Sequence, residues 1–140
     1  MPEETTRATV DEYLRRLRER DLEGAVGLFA ETLDWYAPGA ATVPWTGRRS
    51  TRAQVMEFFT LLHEHLVPEE FTVTHIVVDG ADAVIIGHLR DTVKATGGTL
   101  TTPFAAHVTV TDGSFTRYHL FEDSYALAQA VAPDSTPGKV

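Results

Sequence analysis

At 140 residues the chain has the length of one domain, with an apolar share of 43% that can close a core and an ordinary charged share of 23%. Its net charge of −8, with 12 Lys and Arg against 20 Asp and Glu, argues against a nucleic-acid partner and against an anionic membrane surface, since both recruit clustered cations. The absence of cysteine excludes disulfides, thiolate metal sites and cysteine nucleophiles.

The first residues are polar and charged, without the apolar stretch of a signal peptide, and no apolar run approaches transmembrane length. The expectation is a cytoplasmic protein. A first helix is predicted from Val10, Leu14 and Leu17, with Tyr13 beside them and a capping box from Thr9 to Glu12. A second is predicted over 22–30, capped by Asp21. A short strand over 33–36 stops at Pro38-Gly39, and 39–49 reads as a loop. Helical period returns over 51–66, with Val55, Phe58, Phe59, Leu62 and Leu66 on one side and Pro68 as the stop. The second half is β-rich over 71–78, 83–94, 100–110 and 114–124. Asp79-Gly80, Gly97-Gly98 and Asp112-Gly113 separate these segments as hairpin turns. Helices followed by an antiparallel meander specify an α+β fold, with the helices covering one face of a curved sheet. Residues 1–132 form the expected single domain, and 133–140 a disordered tail.

Several local patterns carry a family likeness: Tyr13-Leu14, Asp21-Leu22-Glu23, Leu28-Phe29-Ala30-Glu31, Trp35-x-x-Pro38-Gly39, Pro44-Trp45-x-Gly47, Phe58-Phe59, and Asp112-Gly113 before the aromatic strand ending in Glu122-Asp123. In order and spacing, over roughly residues 8 to 130, the chain resembles the nuclear transport factor 2-like superfamily. Within it, the motifs are similar to the SnoaL-like branch of polyketide cyclases and ketosteroid isomerase relatives. That resemblance implies a cone-shaped curved antiparallel sheet around one apolar pocket. It fixes no reaction, because the scaffold hosts isomerases, cyclases, hydrolases, dehydratases and binding modules.

Strand alternation divides each strand into two faces but does not say which is inside. Laid on the ketosteroid isomerase-like pattern, anchored at Pro38 and Gly113, the resemblance implies that Trp35, Ala37, Ile86, His88, His107, Tyr118, Leu120 and Glu122 face the pocket. Tyr13 and Leu17 join them from the first helix, and Phe58 or Phe59 from the third. Ala37 replaces the isomerase-like carboxylate base, and His107 takes the place of the protonated acid of an oxyanion hole. Arg90 and Asp91, as sequence neighbours, point to opposite faces, against an epoxide-hydrolase-like Asp-Arg-Asp trio.

The expected catalytic groups are therefore His107, His88, Tyr118 and Glu122. A histidine can donate to a carbonyl oxygen or act as base, Tyr118 can hold an enol oxygen, and a buried Glu122 can serve as acid or base. Substrate contacts are expected from Tyr13, Leu17, Trp35, Trp45, Phe58, Phe59, Ile86, Arg90 and Leu120. No cofactor and no metal are expected, although two histidines with Glu122 could in geometry hold one. Two functions remain open. One is a cofactor-independent cyclase or isomerase for a hydrophobic, polyketide-type intermediate. The other is a non-catalytic ligand-binding or dimerisation module. The resemblance also implies a homodimer through the outer sheet face, where Arg117, His119 and Asp123 are expected.

Overall fold

The computed structural model describes residues 2–132; the expected tail, 133–140, lies outside them. Helix α1, Pro2–Arg18, starts well before Thr9, so the capping box expected at Thr9 is absent. Thr9 instead sits inside the helix and donates to the Thr5 carbonyl at 2.8 Å. Val10, Tyr13 and Leu14 form its buried stripe, and Arg15 and Arg16 bind Glu12, Glu19 and Asp21 on the other side. Asp21 caps α2, Leu22–Val26, by accepting from the Gly24 amide at 2.9 Å.

That helix is shorter than its apolar stripe predicts, because tertiary pairing overrides local propensity. The Leu28 carbonyl accepts from the Phe115 amide at 2.8 Å, and the chain enters strand β1, Phe29–Ala37. The following segment also departs from expectation. Its last residues open strand β2, Gly47–Thr51, antiparallel to β1 with Trp35 opposite Arg49. Thr51 then caps helix α3, Arg52–His65, in a capping box with Gln54.

Strand β3, Leu66–Asp79, follows at once and includes Pro68, which an edge strand tolerates. The meander continues through β4, Asp82–Val93, β5, Thr99–Thr111, and β6, Ser114–Glu122. Asp112 (φ 50°) and Gly113 (φ 79°) take the left-handed conformations of the β5–β6 turn. A last helix not expected from sequence, α4, Ser124–Val131, is capped by Asp123.

The six strands form one curved, unclosed sheet in the order β2-β1-β6-β5-β4-β3, with β1 parallel to β6 and every other pair antiparallel. Helix α1 lies against β3, β4 and β5, while α3 lies against β1, β2 and β3, so the helices and the sheet enclose one apolar interior. Two residues set its shape. Thr116 is an extra residue in β6, between Phe115 opposite Val110 and Arg117 opposite Thr109. This bulge turns both Phe115 and Tyr118 inward. Gly87 lets β3 and an aromatic ring approach the backbone. A Cβ there would stand 2.0 Å from the Thr72 carbonyl oxygen and 2.9 Å from the Phe104 ring.

The closed end of the cone is filled by rings. Tyr13 meets Phe29 and Phe115 edge-on at 5.7 and 5.2 Å, and Trp35 stacks on Tyr118 at 4.7 Å and 10°. Such pairs add about 0.5–1.5 kcal/mol each beyond their buried area.

Candidate active site

The register of the meander decides which side chains face the interior. Opposite residues share a face, so Asp91, Leu89, Gly87 and Ile85 of β4 align with Leu100, Thr102, Phe104 and Ala106 of β5. Phe104, Ala106 and Val108 in turn lie opposite Glu122, Leu120 and Tyr118 of β6. Between this wall and the helices is a cavity of about 420 Å³, in the size range of small-molecule sites.

Its floor is Tyr13, Ile85 and Tyr118; its sides are Leu17, Phe58, Phe59, Leu89, Phe104 and Leu120; Trp45 and Phe71 reach it from the loop and from β3. Phe71 stacks on Phe104 at 5.2 Å and 7°. Arg49 steadies the Trp45 loop by donating to the Trp45 carbonyl at 2.9 Å. The open end is polar, with Arg18 and Arg20 at the end of α1, His63 on α3, Glu69 on β3, and Asp91 and Glu122.

At the floor, the Tyr13 hydroxyl donates to the Tyr118 hydroxyl at 3.2 Å, which leaves the Tyr118 proton for a ligand. Burial pushes the Tyr118 hydroxyl up to about 12 and Tyr13 well above its usual value, so both stay protonated donors at neutral pH. Toward the mouth, the carboxyl groups of Asp91 and Glu122 make no hydrogen bond or ion pair among the described residues. Burial raises Glu122 to about 7, with the charge of Asp91 adding to it, and raises Asp91 to about 6, with Glu69 adding to it. Near neutral pH, these partly buried acids therefore hold less than two charges between them.

Several expected site residues lie elsewhere. His88, Arg90 and Ile86 stand on the outer face of β4, and His107 on the outer face of β5. His88 is 3.1 Å and Arg90 3.2 Å from Glu70, and His107 is 3.0 Å from Asp82. The assignment slipped by one residue on both strands, which turns every side chain to the other face. His107 therefore cannot complete an oxyanion hole inside the cone, and His88, His107 and Glu122 cannot converge on a metal. Among the described residues, no group of three His, Cys, Asp or Glu is arranged to hold one.

Trp35 is inside but does not line the cavity; it backs Tyr118 from behind. Tyr118, Glu122, Tyr13, Leu17, Trp45, Phe58, Phe59 and Leu120 all line it. Arg117 and His119 face outward near Asp34, whereas Asp123 caps α4.

Sequence reasoning missed Asp91 and its wall, Ile85, Leu89 and Phe104. A usable signal was present: Ala83, Ile85 and Leu89 are more apolar than Val84, Ile86, His88 and Arg90, and Phe104, Ala106, Val108 and Val110 are apolar throughout. Weighing the two faces by hydrophobicity selects the observed interior, with Asp91 as its lone acid on β4.

The family model for a SnoaL-like domain matches residues 10–118. Among solved structures, the fold is similar to a nuclear transport factor 2-like protein from Burkholderia xenovorans, at 21% identity and TM-score 0.84, over 94% of this chain and 99% of that one. TerC, co-crystallised with polyporic acid, is 22% identical with TM-score 0.73, over 90% and 97% of the two chains. A candidate SnoaL-like polyketide cyclase from Mesorhizobium loti is 18% identical with TM-score 0.68, over 81% and 96%. No curated protein matches the sequence. No helix of the described residues is long and apolar enough to cross a membrane. With its α+β cone and a family match over most of its length, the chain belongs to the SnoaL-like domain family of the nuclear transport factor 2-like superfamily.

Proposed function

We propose that the protein is a cofactor-independent cyclase or isomerase for a hydrophobic, polyketide-type carbonyl compound held in the cone. One observation carries this reading: two unpartnered carboxyl groups with raised pKa values share an apolar cavity with a buried tyrosine hydroxyl that has a proton to give. Between the two apparent pKa values the pair offers one carboxylate and one carboxylic acid.

The Asp91 carboxylate takes a proton from the carbon beside the substrate carbonyl, and the C–H electron pair becomes the enolate. Tyr118 donates to the enolate oxygen, with Tyr13 behind it. In ring closure, the enolate carbon forms the new C–C bond to a second carbonyl carbon, whose oxygen takes the proton of Glu122. In isomerisation, the proton returns to a different carbon. The aromatic walls fold the substrate so that the reacting carbons meet. TerC, which shares the fold, was co-crystallised with a small organic molecule, consistent with such a use of the cone.

The direct test follows hydrogen–deuterium exchange beside the carbonyl of a bicyclic ketone, 2-tetralone, in D2O by NMR. The protein accelerates exchange over buffer at equal carboxylate concentration, and Asp91→Asn with Glu122→Gln lowers the rate by about 10²–10⁴-fold. Exchange no faster than buffer, with the ketone demonstrably bound, leaves the binding-module reading in its place.

The outer sheet face supports a homodimer. Val77 (54% exposed), Ile86 (37%) and Phe121 (54%) are unusually open for large apolar side chains, and Ile86 and Phe121 lie opposite the same residue, Ala105.

A further inference from the structure

We propose that Arg18 and Arg20 form an anion-recognising lip on the cavity, so that the ligand is an amphiphilic acid: a hydrophobic ring system carrying a carboxylate. The inference rests on reading the cavity as a small-molecule site and names the class of molecule it takes.

Nearly every cation of the described chain is already engaged. Arg15 and Arg16 pair with Glu12, Glu19 and Asp21; Arg90 and Arg117 stand beside Glu70 and Asp34. Arg7, Arg49, Arg52 and Lys94 donate to backbone carbonyls, and Arg48 covers the Tyr36 ring at 4.2 Å. Among the described residues, only the side chains of Arg18 and Arg20 have neither an acceptor nor a ring, and both line the cavity mouth. In a chain with net charge −8, unpaired guanidinium groups gathered at one opening are a specific arrangement.

The backbone points the same way. Arg20 closes α1 in a left-handed conformation, φ 61°, with its amide donating to the Leu17 carbonyl at 3.0 Å. Glycine is the favoured residue at such a helix end, and an arginine there carries a conformational cost that no side-chain hydrogen bond, ion pair or ring contact offsets. A planar guanidinium suits a carboxylate, which it can bind through two parallel hydrogen bonds. Asp91 and Glu122, which line the same cavity, stay partly protonated near neutral pH, which limits their repulsion of an anion.

Isothermal titration of the full chain at pH 7 with naphthalene-2-carboxylate, its methyl ester and 2-naphthylmethylamine tests the proposal. The acid binds about tenfold more tightly than the ester at low salt, and the preference shrinks in 0.5 M salt as screening grows (Debye length about 3 Å at 1 M). Arg18→Gln with Arg20→Gln lowers the acid to the affinity of the ester and leaves the ester unchanged, which also reports an intact fold. Equal binding of acid and ester, a preference that survives both substitutions, or tighter binding of the amine overturns the lip while the cavity reading stands. Failure of all three compounds to bind removes the cavity reading itself, and the lip with it.

Discussion

On the outer face of the sheet, Asp34, Asp82 and Glu70 each have a partner, and each carboxyl is held below its ordinary value. His119 acts on Asp34; Thr109 and then His107 act on Asp82; Thr72 and then His88 act on Glu70. On the inner face, Asp91 and Glu122 have no such partner, and burial pushes them up to about 6 and about 7. The residue types are the same, and Asp82 and Asp91 even lie on the same strand, β4. Position on one or the other side of a pleat decides whether a carboxylate is a satisfied surface charge or an acid poised near neutrality. Four of the six histidines fall on the outer side too, so the residue type most suggestive of catalysis marks the wrong face here.

The sharpest way to break this contrast is to remove one polar group from each side. Tyr118→Phe takes away the inner donor and lowers exchange of 2-tetralone by about 10–100-fold. His107→Ala, on the other face, leaves the rate within about twofold. A large loss in the histidine variant would mean that the outer face reaches the chemistry.

Phe121→Glu probes the outer face as a surface for a second copy. For the proposed homodimer, sedimentation should report at least a tenfold weaker association, because a charge replaces an exposed apolar side chain on that face, while 2-tetralone exchange holds. A variant that sediments like the parent would argue against that interface.

The smallest effect concerns stability. Glu122 keeps its proton to about pH 7 in the folded chain, while the unfolded chain releases it near 4.5. The folded state therefore binds more protons in that window, and stability falls as pH rises through it. Glu122→Gln should raise Tm by a few degrees at pH 8 and give no gain at pH 4, where both states are protonated. An equal gain at both pH values would show that burial of this carboxyl is not the cause.

Much of the molecule was legible in the chain itself. Period and turn residues specified α1, α3 and the meander, since apolar spacing and Asp-Gly or Gly-Gly turns are local properties. Aromatic positions such as Tyr13, Phe58 and Phe59 were legible for the same reason, as members of helical stripes. Three things needed the tertiary structure. Strand pairing extended the strand expected over 33–36 back to Phe29, against a helical stripe, and drew 47–51 into the sheet against a loop composition. The bulge at Thr116 re-phased β6, so that Phe115 and Tyr118 share a face that strict alternation denies them. Register along β4 and β5 placed Asp91 inside and His88 and His107 outside. A period of two gives two equal solutions for each strand, and only the packing of one face against α1 and α3 chooses between them.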